Sequence, residues 1–232
     1  MYIDWTYLVL VLPAVLFAMW ASQRVNGTYQ KYQKQQNSRN ITGAQAARYL
    51  LDQNGLYHVR IEPVAGNLTD HYDPKANIIR LSEGVYHSTS TAAVGVACHE
   101  AGHAVQYAQN YVPVKIRSAI IPVTNIGSKL SMPLILLGLV LSAWAPGFTW
   151  IAYVGVACFS LCTVFQLVTL PTEFDASRRA MKGIEQQQLL YGEELKGARK
   201  VLSAAALTYV AALAVSTMQL LRLLMILGRR RD

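Results

Sequence analysis

Residues 148–170 carry no charged side chain, and that run constrains the fold more than any other feature of the chain. A helix rises about 1.5 Å per residue, so a stretch of this length crosses the roughly 30 Å apolar slab of a bilayer. In lipid the backbone finds no water to bond with, and a helix satisfies its N–H and C=O groups internally. Three further runs are of the same kind: residues 3–21, 119–143 and 204–227, with Lys129 interrupting the second and Arg222 lying in the last. The first has no basic segment before it and is long, so it reads as a span and not as a cleaved signal. Composition agrees, since 53% of the chain is hydrophobic and 15% charged, against about 25% charged in ordinary soluble domains. The expected fold is a mainly α membrane protein with about four transmembrane helices.

The polar remainder reads as a small α/β lobe. Residues 24–36 read as a helix or linker along the membrane surface. Residues 42–51 read as an amphipathic helix that stops near Asn54-Gly55, a C-cap signal. Residues 57–64 and 77–82 read as strands, expected to pair as antiparallel neighbours across the turn-rich stretch 66–74. The expected division is a first span (1–23), a soluble α/β lobe (24–118), two spans (119–170), a helix carrying a candidate site residue (171–202), and a last span with a basic tail (203–232). With four spans, the loops 22–118 and 171–203 share one side. Both are rich in Lys and Arg, whereas the turn at 145–147 has none, so the positive-inside rule places them in the cytoplasm of a multi-pass protein of the cell membrane. Arg229-Arg230-Arg231 then falls outside, against that rule. The net charge of +8 is not arranged in any nucleic-acid module, so the bilayer and not nucleic acid is the expected partner. Cys98, Cys158 and Cys162 lack thiolate-motif spacing and read as small buried residues.

The chemistry lies in the lobe. Residues 91–106 read as a helix with Ser88, Thr89, Ser90 and Thr91 offering N-cap hydroxyls, and it contains His99-Glu100-Ala101-Gly102-His103. At i and i+4, His99 and His103 leave one face a turn apart, as two ligands of one Zn2+ ion require. Glu100 projects beside them, where a general base belongs. Gly102 leaves room for a close neighbour. The bland alternative, an ordinary core helix, leaves an acid and two imidazoles in apolar surroundings without a partner. A catalytic zinc takes three protein ligands and one open position. Upstream candidates for the third are His58, His71 and His87, and the downstream one is Glu173. Glu173 is preferred, because it opens a helix just past a span and closes the site without a mobile loop. Its alternative role is an acid at a helix start.

His99-Glu100-Ala101-Gly102-His103-Ala104, the upstream Asp70-His71-Tyr72-Asp73-Pro74 with Ile79-Arg80-Leu81-Ser82, and Leu170-Pro171-Thr172-Glu173-Phe174-Asp175-Ala176-Ser177-Arg178-Arg179 together resemble the YugP-like family of bacterial neutral zinc membrane metallopeptidases. More distantly the chain is similar to the heat-shock and CAAX prenyl membrane metalloproteases. The resemblance implies a gluzincin, with His99, His103 and Glu173 as zinc ligands and Glu100 as base. In the distant group an Asp stands four residues after the Glu ligand. Here Ser177 occupies that place and Asp175 comes two after. Asp175 is a candidate for orienting a zinc histidine, Arg178 for stabilising an oxyanion, and His71 for an auxiliary role. The expected activity is metalloendopeptidase hydrolysis of membrane proteins, or of peptides reaching the membrane surface. An exposed strand edge beside the zinc helix would take such a segment by strand addition. A site-2-type intramembrane protease is the enzymatic alternative, but the chain has no Asn-Pro-Asp-Gly-like segment to supply its Asp ligand. A non-catalytic, zinc-clamped membrane scaffold is the other, and it has no use for Glu100.

Overall fold

The computed structural model describes residues 5–228. The start of the expected first span and the Arg triplet at 229–231 lie outside the described residues. In chain order the elements are α1 (Tyr7–Gln33, opening with a π-helical turn), α2 (Gly43–Gln53), β1 (Arg60–Val64), β2 (His71–Asp73), β3 (Ile78–Ser82), α3 (Glu83–Tyr86), α4 (Thr91–Ala108), α5 (Val112–Ser142), α6 (Thr149–Gln186) and α7 (Gly192–Gly228). The protein is mostly helical, with one small sheet. Four helices, α1, α5, α6 and α7, are long and apolar enough to cross a membrane. Each runs on past its apolar run. The stretch 24–33, expected as a surface helix or linker, is a direct continuation of α1. Gly27 does not break the helix, and Thr28 Oγ1 donates back to the Arg24 carbonyl at 2.7 Å. Lys129 likewise does not interrupt α5.

The chain forms two compact units. One comprises Met1–Trp20, Ile116–Leu170 and Tyr209–Asp232. Within it, α5 and α6 meet through small residues. A Cβ on Gly138 would lie 2.2 Å from the Ala152 nitrogen, and one on Gly155 would lie 2.7 Å from the Ile135 nitrogen. Such contacts are how helices approach where lipid supplies no hydrophobic drive to associate. Large apolar side chains such as Leu136, Val140 and Trp150 face outward. Arg222 lies over the Tyr7 ring at 5.4 Å, which offsets the cost of a cation among apolar neighbours.

The second unit comprises Ala21–Lys115 and Pro171–Thr208. Its core gathers Leu50 and Leu51 of α2, Ile79 and Leu81 of β3, Val94 and Ala97 of α4, and Ile184 and Leu189. Full burial of each large apolar side chain contributes about 1.5–3 kcal/mol. Thr42 and Gln45 form a reciprocal capping box at the start of α2, and Ser90 caps α4 by accepting from the Ala93 amide.

The sheet order is β1-β3-β2. β1 and β3 pair in parallel, Arg60 opposite Ile78, not antiparallel as the sequence suggested. The difference lies in the turn-rich stretch, which holds a third strand. Asp73 Oδ1 accepts from the Lys75 and Ala76 amides, and Asn77 takes φ 54°, so the chain reverses at once and β2 lies antiparallel to β3. β1 occupies the other edge of β3 and runs with it. The Ser82 amide and hydroxyl both donate to Asp70, fixing the lead into β2 against the end of β3.

Candidate metal centre

α4 lies in the middle of the second unit, and most of its residues are buried. His99, Glu100 and His103 are all on it. Glu173 arrives from α6, and the close approach of the two helices depends on Gly102. A Cβ there would sit 2.6 Å from the Ala176 carbonyl oxygen. With only hydrogen at that position, α6 brings Glu173 Oε2 to 3.2 Å from His99 Nε2 and 3.5 Å from His103 Nε2. Glu173 is 3% exposed, so this carboxylate is held away from water. The imidazoles stand edge to face with centroids 4.7 Å apart.

Each ring is oriented from behind. His103 Nδ1 lies 3.0 Å from Gln106 Oε1, and His99 Nδ1 lies 3.1 Å from Ser177 Oγ. The amide orientation of Gln106 follows from its other contacts. Its nitrogen donates to the Thr172 carbonyl at 2.7 Å and to Asp175 Oδ2 at 3.0 Å, both of them acceptors. Its oxygen therefore faces His103, and His103 Nδ1 must be the donor. That leaves the lone pair of His103 Nε2 aimed at the carboxylate of Glu173. Acceptors converging in a buried site require a cation among them.

The electrostatics point the same way. Burial disfavours ionised Glu173, but hydrogen bonds to His103 and His99 outweigh it and hold its pKa well below the usual carboxylate range. Burial also disfavours the imidazolium of His103, yet Glu173 and the nearby charge of Glu100 raise its pKa. A proton takes the cation's part when no metal does.

The donor set fits zinc. Ligands around a tetrahedral zinc at about 2.0–2.1 Å stand roughly 3.3 Å from one another, and the contacts of Glu173 are 3.2 and 3.5 Å. Two imidazoles and a carboxylate lie with their donor atoms within 4.8 Å of each other. Glu100 is on the same helix, almost fully buried, and is not one of these three.

The other expected residues fall elsewhere. Asp175 does not touch a histidine. It holds Gln106 and is itself gripped by Arg179 and, at 3.2 Å, by Arg178. Arg178, the oxyanion candidate, has a 73% exposed side chain and pairs with Asp175. His71 is exposed on β2, with Nδ1 at 2.8 Å from the Thr69 carbonyl and Nε2 near Arg80, and it is not part of the cluster. Gln106 is the contributor that sequence reading passes over. Its signal is a lone amide three residues after His103, on the same helical face in an apolar helix.

The profile of a family described as "putative neutral zinc metallopeptidase" matches residues 7–228. A protein of Bacillus subtilis (strain 168), "Putative membrane protease YugP", is 44% identical over 226 residues, covering 97% of this chain and 98% of that one. No solved structure is significantly similar.

Proposed function

The chain belongs to the neutral zinc metallopeptidase family, and from that premise we propose that it is an integral-membrane gluzincin in which His99, His103 and Glu173 hold Zn2+ and Glu100 is the general base. The observation that carries this reading is the convergence of those three donors in one buried site beside Glu100. Zinc bound there supplies Lewis acidity, polarising a scissile carbonyl and acidifying water.

The chain's own residues do the rest. Glu100 accepts the proton of the attacking water and delivers it to the departing amine nitrogen. Gln106 and Ser177 accept from Nδ1 of the two histidines, which keeps each Nε2 free to bind the metal. Glu173 supplies the negative charge that compensates the cation. The substrate is the extended segment of a membrane protein or surface peptide, lying along the edge of β2, the strand nearest α4 among the sheet's two edges. The excess of Lys and Arg in the loops 22–118 and 171–203 supports a site on the cytoplasmic side of the cell membrane.

The test is Glu100→Gln, purified in detergent beside the parent. Positioned bases contribute typically about 10²–10⁴-fold, so casein cleavage should nearly vanish while zinc content stays at one per chain. Persistent hydrolysis by the zinc-loaded variant rules out this mechanism, and a parent that binds zinc but cleaves nothing restores the scaffold reading.

A further inference from the structure

A second site lies apart from the metal centre in the same unit. The polar end of α1 and the start of α7 border an open groove of about 670 Å3. Arg24, Lys31, Lys196, Arg199 and Lys200 line it, and no carboxylate does among the described lining residues. Lys196 and Arg199 are paired with Glu193 and Glu185, each at 2.6 Å. The floor is different in character. Tyr32, Ala204 and Leu207 make most of it apolar. At Gly27 an added Cβ would meet nothing within 4 Å, so the helix surface is bare there.

The placement along the helices gives this combination its meaning. Arg24 follows directly on the apolar run of α1, and Ser203, Ala204 and Leu207 open the apolar run of α7. Both helices therefore change from polar to apolar at this groove, as a membrane–water boundary demands. Long cationic side chains at such a boundary reach toward headgroups while their stems cover apolar surface. A ligand that suits both parts has a phosphate at one end and a hydrocarbon chain at the other.

We infer that the α1–α7 groove is a specific site for an anionic phospholipid, with the headgroup phosphate among Arg24, Lys31 and Lys200 and an acyl chain on Ala204 and Leu207. This inference does not depend on peptidase activity. Each basic residue near an anionic surface is worth about a factor of five in binding. The site would tie the conformation of α1 and α7 to the lipid composition of the leaflet they enter.

The experiment uses the full-length protein in neutral detergent, read by melting temperature and native mass spectrometry. The probes are phosphatidylglycerol, phosphatidylcholine with the same chains, and inorganic phosphate. Phosphatidylglycerol should bind and raise the melting temperature, and the other two should not. The double variant Lys31→Glu/Lys200→Glu should weaken phosphatidylglycerol binding roughly 25-fold or more. Gly27→Leu leaves every charge in place but fills the bare surface, and should weaken binding as well. Should the double variant lose stability in neutral detergent, the Gly27→Leu arm decides. Equal binding of phosphatidylcholine, equal protection by inorganic phosphate, or undiminished binding by Gly27→Leu would each overturn the assignment.

Discussion

Gln106 shows how much of the candidate metal site lies behind its three donor side chains. It is fully buried, and it joins His103 to the Thr172 carbonyl and to Asp175, which is clamped in turn by Arg179. A buried amide with all its partners satisfied orients a ring more firmly than a solvated carboxylate does. Replacing it with Leu keeps the volume but strips Nδ1 of its acceptor and leaves the Thr172 carbonyl without this donor. Loss of such a partner typically costs about 10–100-fold in metal affinity. A competitive chelator titration of Gln106→Leu should therefore show zinc bound one to two orders of magnitude more weakly, and unchanged affinity would show that His103 needs no support. In the same assay Glu173→Ala should lose zinc outright, since it removes one of three donors, whereas His71→Ala should bind like the parent. If His71→Ala loses the metal and Glu173→Ala keeps it, the third ligand is wrongly assigned.

At the scale of elements, the contact of α4 with α6 decides whether the site exists. The backbone of Ala176 lies against Gly102, and Glu173 is one helical turn before Ala176 on the same helix. Gly102→Val must push the Ala176 carbonyl away, because its Cβ would begin 2.6 Å from that oxygen. Overpacking of this kind costs about 1–3 kcal/mol. It also displaces Glu173 from the two imidazoles, so zinc affinity should fall together with melting temperature. A Gly102→Val protein with the parent's zinc affinity and stability would mean that the helices meet less closely than described. The small sheet is subject to a similar local rule. Asp73 turns the chain by accepting two amides and also receives Arg80 at 3.0 Å, which lowers its pKa. The side chain that makes the turn thus also pins β2 to β3, and Tyr72 of β2 meets Tyr107 near the end of α4.

At the scale of the molecule, the four long helices set which loops share a compartment. With α5 and α6 both crossing, as proposed, α4 and the polar half of α6 share one side of the bilayer. Single cysteines at Lys34 and Glu193, introduced after replacement of Cys98, Cys158 and Cys162, test the orientation. Both should resist an impermeant thiol reagent in intact cells and react once the membrane is opened. Labelling of either from outside would place the metal centre on the opposite face.

The four long apolar helices were legible in the sequence because each contains a long local run with few charges, and in lipid such a run satisfies its backbone as a helix. The pairing of His99 with His103 was legible for the same reason, since i and i+4 share a face whatever the surroundings. The sequence offered four hydroxyls, at 88–91, for the cap of α4, and Ser90 is the one that accepts from the Ala93 amide. Glu173, 74 residues from His99, was a preferred partner in the sequence because it follows an apolar run directly, and Gly102 read as room for a neighbour. That the neighbour is the Ala176 backbone, one turn from Glu173, came only with the tertiary structure. The parallel pairing of β1 with β3 followed from a three-residue strand inside a stretch whose composition reads as turn. The partner of His103 proved to be an amide on its own helix, and Asp175 reached the site only through it. Local chemistry fixes what a segment can be. Which side chain stands behind a ligand is a matter of packing between segments, and that is decided when the helices close on one another.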